Sequence, residues 1–111
     1  MSIPLEQLPM VAEKYYELGE NCKHNGDYKK AFGLFKSAAE KFGVLADRTD
    51  STAEKIKYLH MKRQCLTGML TDSSISNQGM WREIMLEIGS IDDHIIEAIK
   101  EKYQPPKSQV H

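Results

Sequence analysis

The chain has 111 residues, of which 41% are apolar and 28% charged, and its formal net charge is −1. This length and composition are typical of one globular domain and exclude a disordered chain. A net charge near zero provides no overall field for nucleic acid or anionic lipid, so a nucleic-acid partner is not expected. No apolar run approaches the ~20 residues of a membrane-spanning helix, so membrane insertion is not expected either.

The first helix is predicted over residues 8–24, after a flexible N-terminal segment at 1–7. Apolar residues recur there at helical spacings of three and four, which predicts one apolar stripe. The stripe consists of Val11, Tyr15, Leu18 and Cys22. The Gly26-Asp27 pair is expected to end this helix and begin the next, because glycine adopts a left-handed cap and aspartate is a good N-cap.

The second helix is predicted to begin at Tyr28 and to continue to Ala46. Small residues at helical spacings allow two helix backbones to approach closely. These small residues are Gly19, Ala31 and Ala38. We expect Leu18 and Tyr28 to fill the remaining gap, so that residues 12–41 fold back as a tightly packed helical pair.

The third helix is predicted to run from the polar segment 48–52 to about Thr71, and its wide apolar stripe indicates contact with more than one neighbouring helix. The last helix is predicted over residues 80–103. Its apolar residues keep one helical phase: Trp81, Ile84, Ile88, Ile91, Ile95 and Ala98. This phase favours one continuous helix, and a break at Gly89-Ser90 is the alternative.

The predicted fold is therefore all-α, a small antiparallel bundle of four helices, or five if the last helix breaks. No segment has the alternating, β-branched pattern of a strand. One domain is expected over residues 8–103, followed by a disordered tail at 104–111. The two cysteines are expected to be buried or half-buried thiols in a reducing compartment, which predicts a cytoplasmic location.

The segment from residue 12 to about 43 resembles a tetratricopeptide repeat, a hairpin of two helices with a ladder of small and large positions. The matching residues are Tyr15, Leu18, Gly19, Gly26, Tyr28, Ala31, Phe35 and Ala38. A second copy is not visible, so the remaining helices must complete the core. The carboxylate clamp that the family forms from lysine and asparagine is not expected, because Tyr16 and Glu20 occupy those positions.

The same turn and second helix are more loosely similar to microtubule-interacting and trafficking (MIT) domains, which are three-helix bundles. The shared positions are Gly26, Tyr28, Ala31, Phe35 and Ala38. MIT domains bind short amphipathic helices or extended segments in grooves between their helices, usually on membrane-remodelling proteins. The resemblance implies a non-enzymatic adaptor or targeting module that binds a peptide or helix of a partner protein.

The third helix is the predicted wall of the binding groove. Its apolar floor is expected to consist of Tyr58, Met61, Cys65 and Met69. Its rim is expected to consist of Lys55, Lys62 and Arg63. Methionines adapt to partners of different shape, and a basic rim selects an amphipathic, acidic segment. At each position the alternative is contact with the last helix instead of a partner.

Two other functions remain open. The chain could be an assembly domain whose Trp81 helix pairs with a second copy or with the rest of a larger protein. More remotely, residues 36–43 resemble the helix that carries the phosphorylated histidine of histidine-phosphotransfer bundles, although Gly33 stands where that imidazole would be. No catalytic, cofactor or metal-binding pattern is present. Asp92 and Asp93 are adjacent carboxylates, but they diverge by ~100° on a helix and therefore do not converge on one substrate atom.

Overall fold

The computed structural model describes residues 4–70 and 78–103. These residues form four α-helices and no strand, which confirms the all-α bundle. The helices are α1 (Leu8–His24), α2 (Tyr28–Arg48), α3 (Thr52–Leu70) and α4 (Gln78–Tyr103). The predicted disordered tail and the first three residues of the predicted flexible N-terminus lie outside the described residues. Residues 4–7 form a turn in which the Pro4 carbonyl accepts hydrogen bonds from the amides of Gln7 and Leu8.

The turn between α1 and α2 forms as its sequence predicts. Gly26 has a φ of +84°, a left-handed conformation that glycine adopts without a Cβ clash. The Asp27 carboxylate then accepts a hydrogen bond from the Lys30 amide at 3.3 Å and caps α2. These two residues reverse the chain and begin the second helix.

Helices α1, α2 and α3 meet at a single aromatic ring. Phe35 of α2 is fully buried, and its ring lies between Gly19 of α1 and Gly68 of α3. A Cβ atom added to either glycine would lie 2.9 Å from the ring. The Tyr16 ring packs beside it at a centroid distance of 5.7 Å. The close approach of the three backbones therefore depends on the missing side chains of two glycines.

The expectation that Leu18 and Tyr28 fill the gap of the hairpin is wrong. Each is 39% exposed, and Phe35 occupies that space instead. The buried residues of α1 are Leu8, Ala12 and Gly19, so the core face lies to one side of the predicted stripe. The small positions behave as predicted, since Gly19, Ala31 and Ala38 are all buried.

Helix α3 packs between α2 and α4, which confirms that its wide stripe serves more than one neighbour. It runs antiparallel to α2, because Gly68 meets Phe35 near one end and the Tyr58 ring stacks on Phe42 near the other. The apolar cluster of the core includes residues from all four helices.

Helix α4 continues through Gly89-Ser90, so the bundle has four helices and not five. The buried side chains of α4 are Ile84, Ile88, Ile91, Ile95 and Ala98. Trp81 shares their spacing but is 48% exposed, so it does not belong to the core. At ~100° per residue, Trp81 lies about 60° round the helix from Ile84, at the edge of the buried stripe.

Candidate functional site

A cavity of about 280 Å³ opens where α2, α3 and α4 meet. Its wall is apolar at the base and charged at the mouth. The apolar lining residues are Phe32, Ala39, Leu66, Met69, Met80 and Ile84. The charged lining residues are Lys36, Glu40, Lys62, Glu83 and Glu87. We call this cavity and its lining the α2/α3/α4 groove.

The groove exists because α2 and α4 both pack on α3 and make little direct contact with each other. Ala39 of α2 faces the resulting gap and is too small to fill it. Leu66 and Met69 of α3 form part of the base, and both are buried. Three helices therefore enclose a space that no large side chain occupies.

The charges at the mouth are unevenly compensated. Lys62 of α3 lies 3.4 Å from the Glu87 carboxylate of α4, measured from Nζ to Oε1. Its side chain also crosses Gly43 of α2, where an added Cβ would lie 3.1 Å from Nζ. Within the described residues, Glu40 and Glu83 have no ion-pair partner. The mouth consequently keeps an excess of negative charge.

The negative charge extends along α4 beyond the cavity. Exposed side chains follow one another at spacings of four, three, four, three and four: Glu83, Glu87, Ser90, His94, Glu97 and Glu101. These positions share one flank of a helix, and we call its four glutamates the acidic row. The whole helix has six carboxylates against three lysine and arginine side chains.

The seven residues predicted to bind a partner are not brought together on one open surface. Lys62 and Met69 line the groove, but Met69 is buried at its base. Cys65 is fully buried and cannot form the floor of an open groove, which corrects that prediction. Whether any of the seven contacts a partner stays a prediction.

The other predicted site residues are held away from the groove. Arg63 binds Asp92 of α4 with two hydrogen bonds, Nε to Oδ1 at 2.6 Å and Nη2 to Oδ2 at 3.4 Å. Tyr58 is half-buried against Phe42. Lys55 is exposed and Met61 is half-buried, and neither lines the groove. Lys62 and Arg63 both contact the last helix, which is the alternative that was weighed against contact with a partner.

Sequence reasoning missed the walls that α2 and α4 supply. Glu40 and Ala39 belong to a helix that was analysed only for its own packing. Glu83 and Glu87 belong to the predicted last helix, for which only the apolar residues were assigned a role in the fold. Their regular spacing was the available signal, because residues three and four apart on a helix form a continuous row.

A second exposed surface lies on the opposite flank of α4. It consists of apolar side chains that remain between 39% and 50% exposed: Trp81, Met85, Ile96 and Ile99. We call it the outer apolar row. The Arg63–Asp92 ion pair lies on this side of α4, as Asp92 falls between Trp81 and Met85 on a helical projection.

No protein-family model, curated protein or solved structure matches this chain. The function of the site must therefore be argued from its own residues.

Burial raises the pKa of the Cys65 thiol to about 12, and the nearby Glu20 carboxylate adds to this effect. A thiol with so high a pKa is a poor nucleophile at neutral pH.

In residues 4–70 and 78–103 no group of three or more His, Cys, Asp and Glu side chains could hold a metal ion. None of the helices formed by these residues is long and apolar enough to span a bilayer. Within the described residues, α4 contributes to two candidate sites, the α2/α3/α4 groove and the outer apolar row.

Proposed function

We propose that this chain is a non-enzymatic interaction module that binds a helix or extended segment of a partner protein in the α2/α3/α4 groove. The supporting observation is a cavity of about 280 Å³ with an apolar base and a charged mouth. Grooves that recognise peptides bury apolar anchors and use polar rims for orientation. The volume is at the lower end of the ~300–1,000 Å³ typical of ligand pockets, which suits one or two side chains.

The role as an adaptor or targeting domain rests on the sequence resemblance. The turn at Gly26 and the small residues of α2 are the features shared with tetratricopeptide and MIT hairpins, and they form a packed hairpin here. An MIT-like role in trafficking belongs to the same proposal. A reducing, cytoplasmic location is consistent with Cys22 and Cys65, which are both free thiols.

A displayed library of random peptides tests the groove as a binding site. The protein is compared with Glu40→Trp, which places a large side chain at the mouth of the cavity. Asp93→Trp is the matched control, because it replaces an exposed carboxylate on α4 that does not line the groove. We expect peptides enriched on the wild-type protein to bind Glu40→Trp at least about tenfold more weakly and the control within about twofold. Equal binding to all three proteins would refute the groove.

A second candidate function is assembly through the outer apolar row. It is favoured by the exposure of Trp81, which is 48%, and of Ile96, which is 50%. Apolar side chains lined up on one exposed face are typical of interaction sites. Light scattering at low and high protein concentration tests this candidate, with Trp81→Ser/Ile96→Ser as the comparison. A monomer at both concentrations would exclude self-association, whereas a dimer that this double variant dissociates would establish it.

A further inference from the structure

We infer that the partner segment in the α2/α3/α4 groove is basic, with an apolar anchor in the cavity and Lys or Arg side chains along the acidic row of α4. This inference rests on the proposed function of the groove and adds the chemistry of its partner. It reverses the acidic partner that the basic residues of α3 suggest from sequence.

Two of the four cations of α3, Lys62 and Arg63, are already engaged within the bundle. Lys62 is paired with Glu87, and Arg63 with Asp92. Both pairs join α3 to α4 within the chain, so an acidic partner would compete with Glu87 and Asp92 for these two cations. The part of the basic strip that reaches α4 is therefore an internal contact of the bundle, and the exposed Lys55 and Lys57 do not line the groove.

Carboxylates remain uncompensated on both walls of the groove. Glu40 lies on α2 and Glu83 on α4, and neither has an ion-pair partner within the described residues. Lys36 is the other cation at the mouth besides Lys62. Three glutamates against two lysines, of which one is already paired, leave the mouth negative.

The acidic surface of α4 is longer than the cavity. Beyond the cavity, Glu97 and Glu101 continue the flank of α4 that begins with Glu83 and Glu87, and all four are exposed. Because the spacing is helical, a partner helix aligned with α4 can present Lys or Arg at the same intervals. Electrostatic complementarity of this kind selects partners and accelerates association.

Synthetic amphipathic peptides provide the test. Three fluorescein-labelled peptides of about 18 residues share one apolar face and have Lys, Gln or Glu at the polar positions. We measure their affinity by fluorescence anisotropy, and we follow the methyl NMR signals of Met69 and Met80 to verify that the groove is occupied. One exposed ion pair increases the affinity by up to about fivefold, and the acidic row offers several glutamates. We therefore expect the Lys peptide to bind at least about fivefold tighter than the Gln peptide. The Glu peptide should bind weakest, and added salt should reduce the differences.

A charge reversal at the groove supplies the matched comparison. Glu83→Lys should weaken binding of the Lys peptide by about fivefold to tenfold. Asp93→Lys changes the net charge equally on an exposed position of α4 outside the groove, and should alter the affinity by less than about twofold.

The outcomes separate this inference from the proposed function. Equal binding of the Lys and Gln peptides, preference for the Glu peptide, or equal effects of Glu83→Lys and Asp93→Lys would overturn the basic partner while the groove still binds. Failure of all three peptides to shift the signals of Met69 and Met80 would overturn the groove as a site, and the basic partner with it.

Discussion

At the scale of single residues, the aromatic ring of Phe35 determines how closely the first three helices approach. The ring is fully buried and touches the backbones of Gly19 and Gly68 from opposite sides. A rigid ring held between two helices cannot move aside as a flexible side chain could. The two glycines are therefore packing residues, each placed where a Cβ would collide with the ring.

Glycine-to-alanine substitutions test this packing. Alanine is favoured over glycine inside a helix by ~1 kcal/mol, and overpacking a core costs ~1–3 kcal/mol. We therefore expect Gly19→Ala and Gly68→Ala to lower the free energy of unfolding by up to about 2 kcal/mol. Gly33→Ala is the control, because no atom lies within 4 Å of its added Cβ, and it should stabilise the protein. Urea denaturation measures all three, and stabilisation by all three would contradict the role of the ring.

The two thiols should differ in reactivity. Burial raises the pKa of Cys65 to about 12. At pH 8 the thiolate is then about one part in ten thousand, and the sulfur is inaccessible. Cys22 is only half-buried. We expect a thiol reagent such as N-ethylmaleimide to label Cys22 first, with Cys65 reacting only through unfolding. Mass spectrometry of digested protein after timed labelling distinguishes them, and equal rates in the native protein would refute the burial of Cys65.

At the scale of elements, α4 has three distinct faces. One packs on α3 through Ile84, Ile88, Ile91 and Ile95. The flank on the groove side has the acidic row, and the opposite flank has the outer apolar row. Ion pairs to Lys62 and Arg63 hold α4 on α3 from both sides of the buried stripe. Helix α4 is therefore both a structural element of the bundle and the source of its two candidate interaction surfaces.

The Arg63–Asp92 pair should contribute modestly to this attachment. Its geometry is two-pronged, but the side chains of Arg63 and Asp92 are 42% and 43% exposed, so water and salt screen the interaction. A double-mutant cycle of Arg63→Gln and Asp92→Asn should give a coupling free energy of about 0.5 kcal/mol, and not more than ~1 kcal/mol. Thermal and urea unfolding measure it. A coupling that persists undiminished at ~1 M salt would show that the pair is more shielded than these exposures imply.

At the scale of the whole molecule, the helices succeed one another, and each packs mainly on the one before it. Phe35 connects α1, α2 and α3, whereas α4 is attached to α3 and leaves a groove beside α2. The stability of the molecule therefore depends on residues distributed over all four helices, and two half-buried tyrosines, Tyr16 and Tyr58, make part of it depend on pH.

The folded protein should lose stability in alkali. Burial raises the pKa of Tyr16 above its ordinary value of 10.0, and the neighbouring Glu20 adds to the effect. Burial also raises the pKa of Tyr58, with Glu54 and Glu13 contributing. The unfolded chain then releases phenolic protons that the folded chain retains. The stabilisation is complete below pH 10 and is lost as the pH rises through the raised pKa values.

Urea denaturation at a series of pH values from neutral to alkaline measures this loss. The variants Tyr16→Phe and Tyr58→Phe keep the rings and remove the titrating hydroxyls. We expect each to show a smaller decline above pH 10 than the wild-type protein, while other alkaline titrations remain common to all. An unchanged slope in both variants would exclude the tyrosines as the cause.

The sequence by itself determined the class of fold and most of the helices. Periodicity located α1, α2 and α3, and the unbroken phase across Gly89-Ser90 favoured the single α4, because helical spacing is a local property of the chain. Turn chemistry at Gly26 and Asp27 was equally local and equally readable.

The tertiary structure alone decided which flank of each stripe is covered. Periodicity marks Leu18 and Trp81 as apolar but leaves open whether a neighbouring helix reaches them, and both are exposed. The sequence also gives no sign that Lys62 and Arg63 of α3 are paired, because their partners Glu87 and Asp92 lie on α4 and meet them only in the folded chain. The groove itself arises from three helices that are distant in sequence, so no local pattern could define it. Contacts between such segments depend on how the helices pack, and that packing is a property of the whole fold.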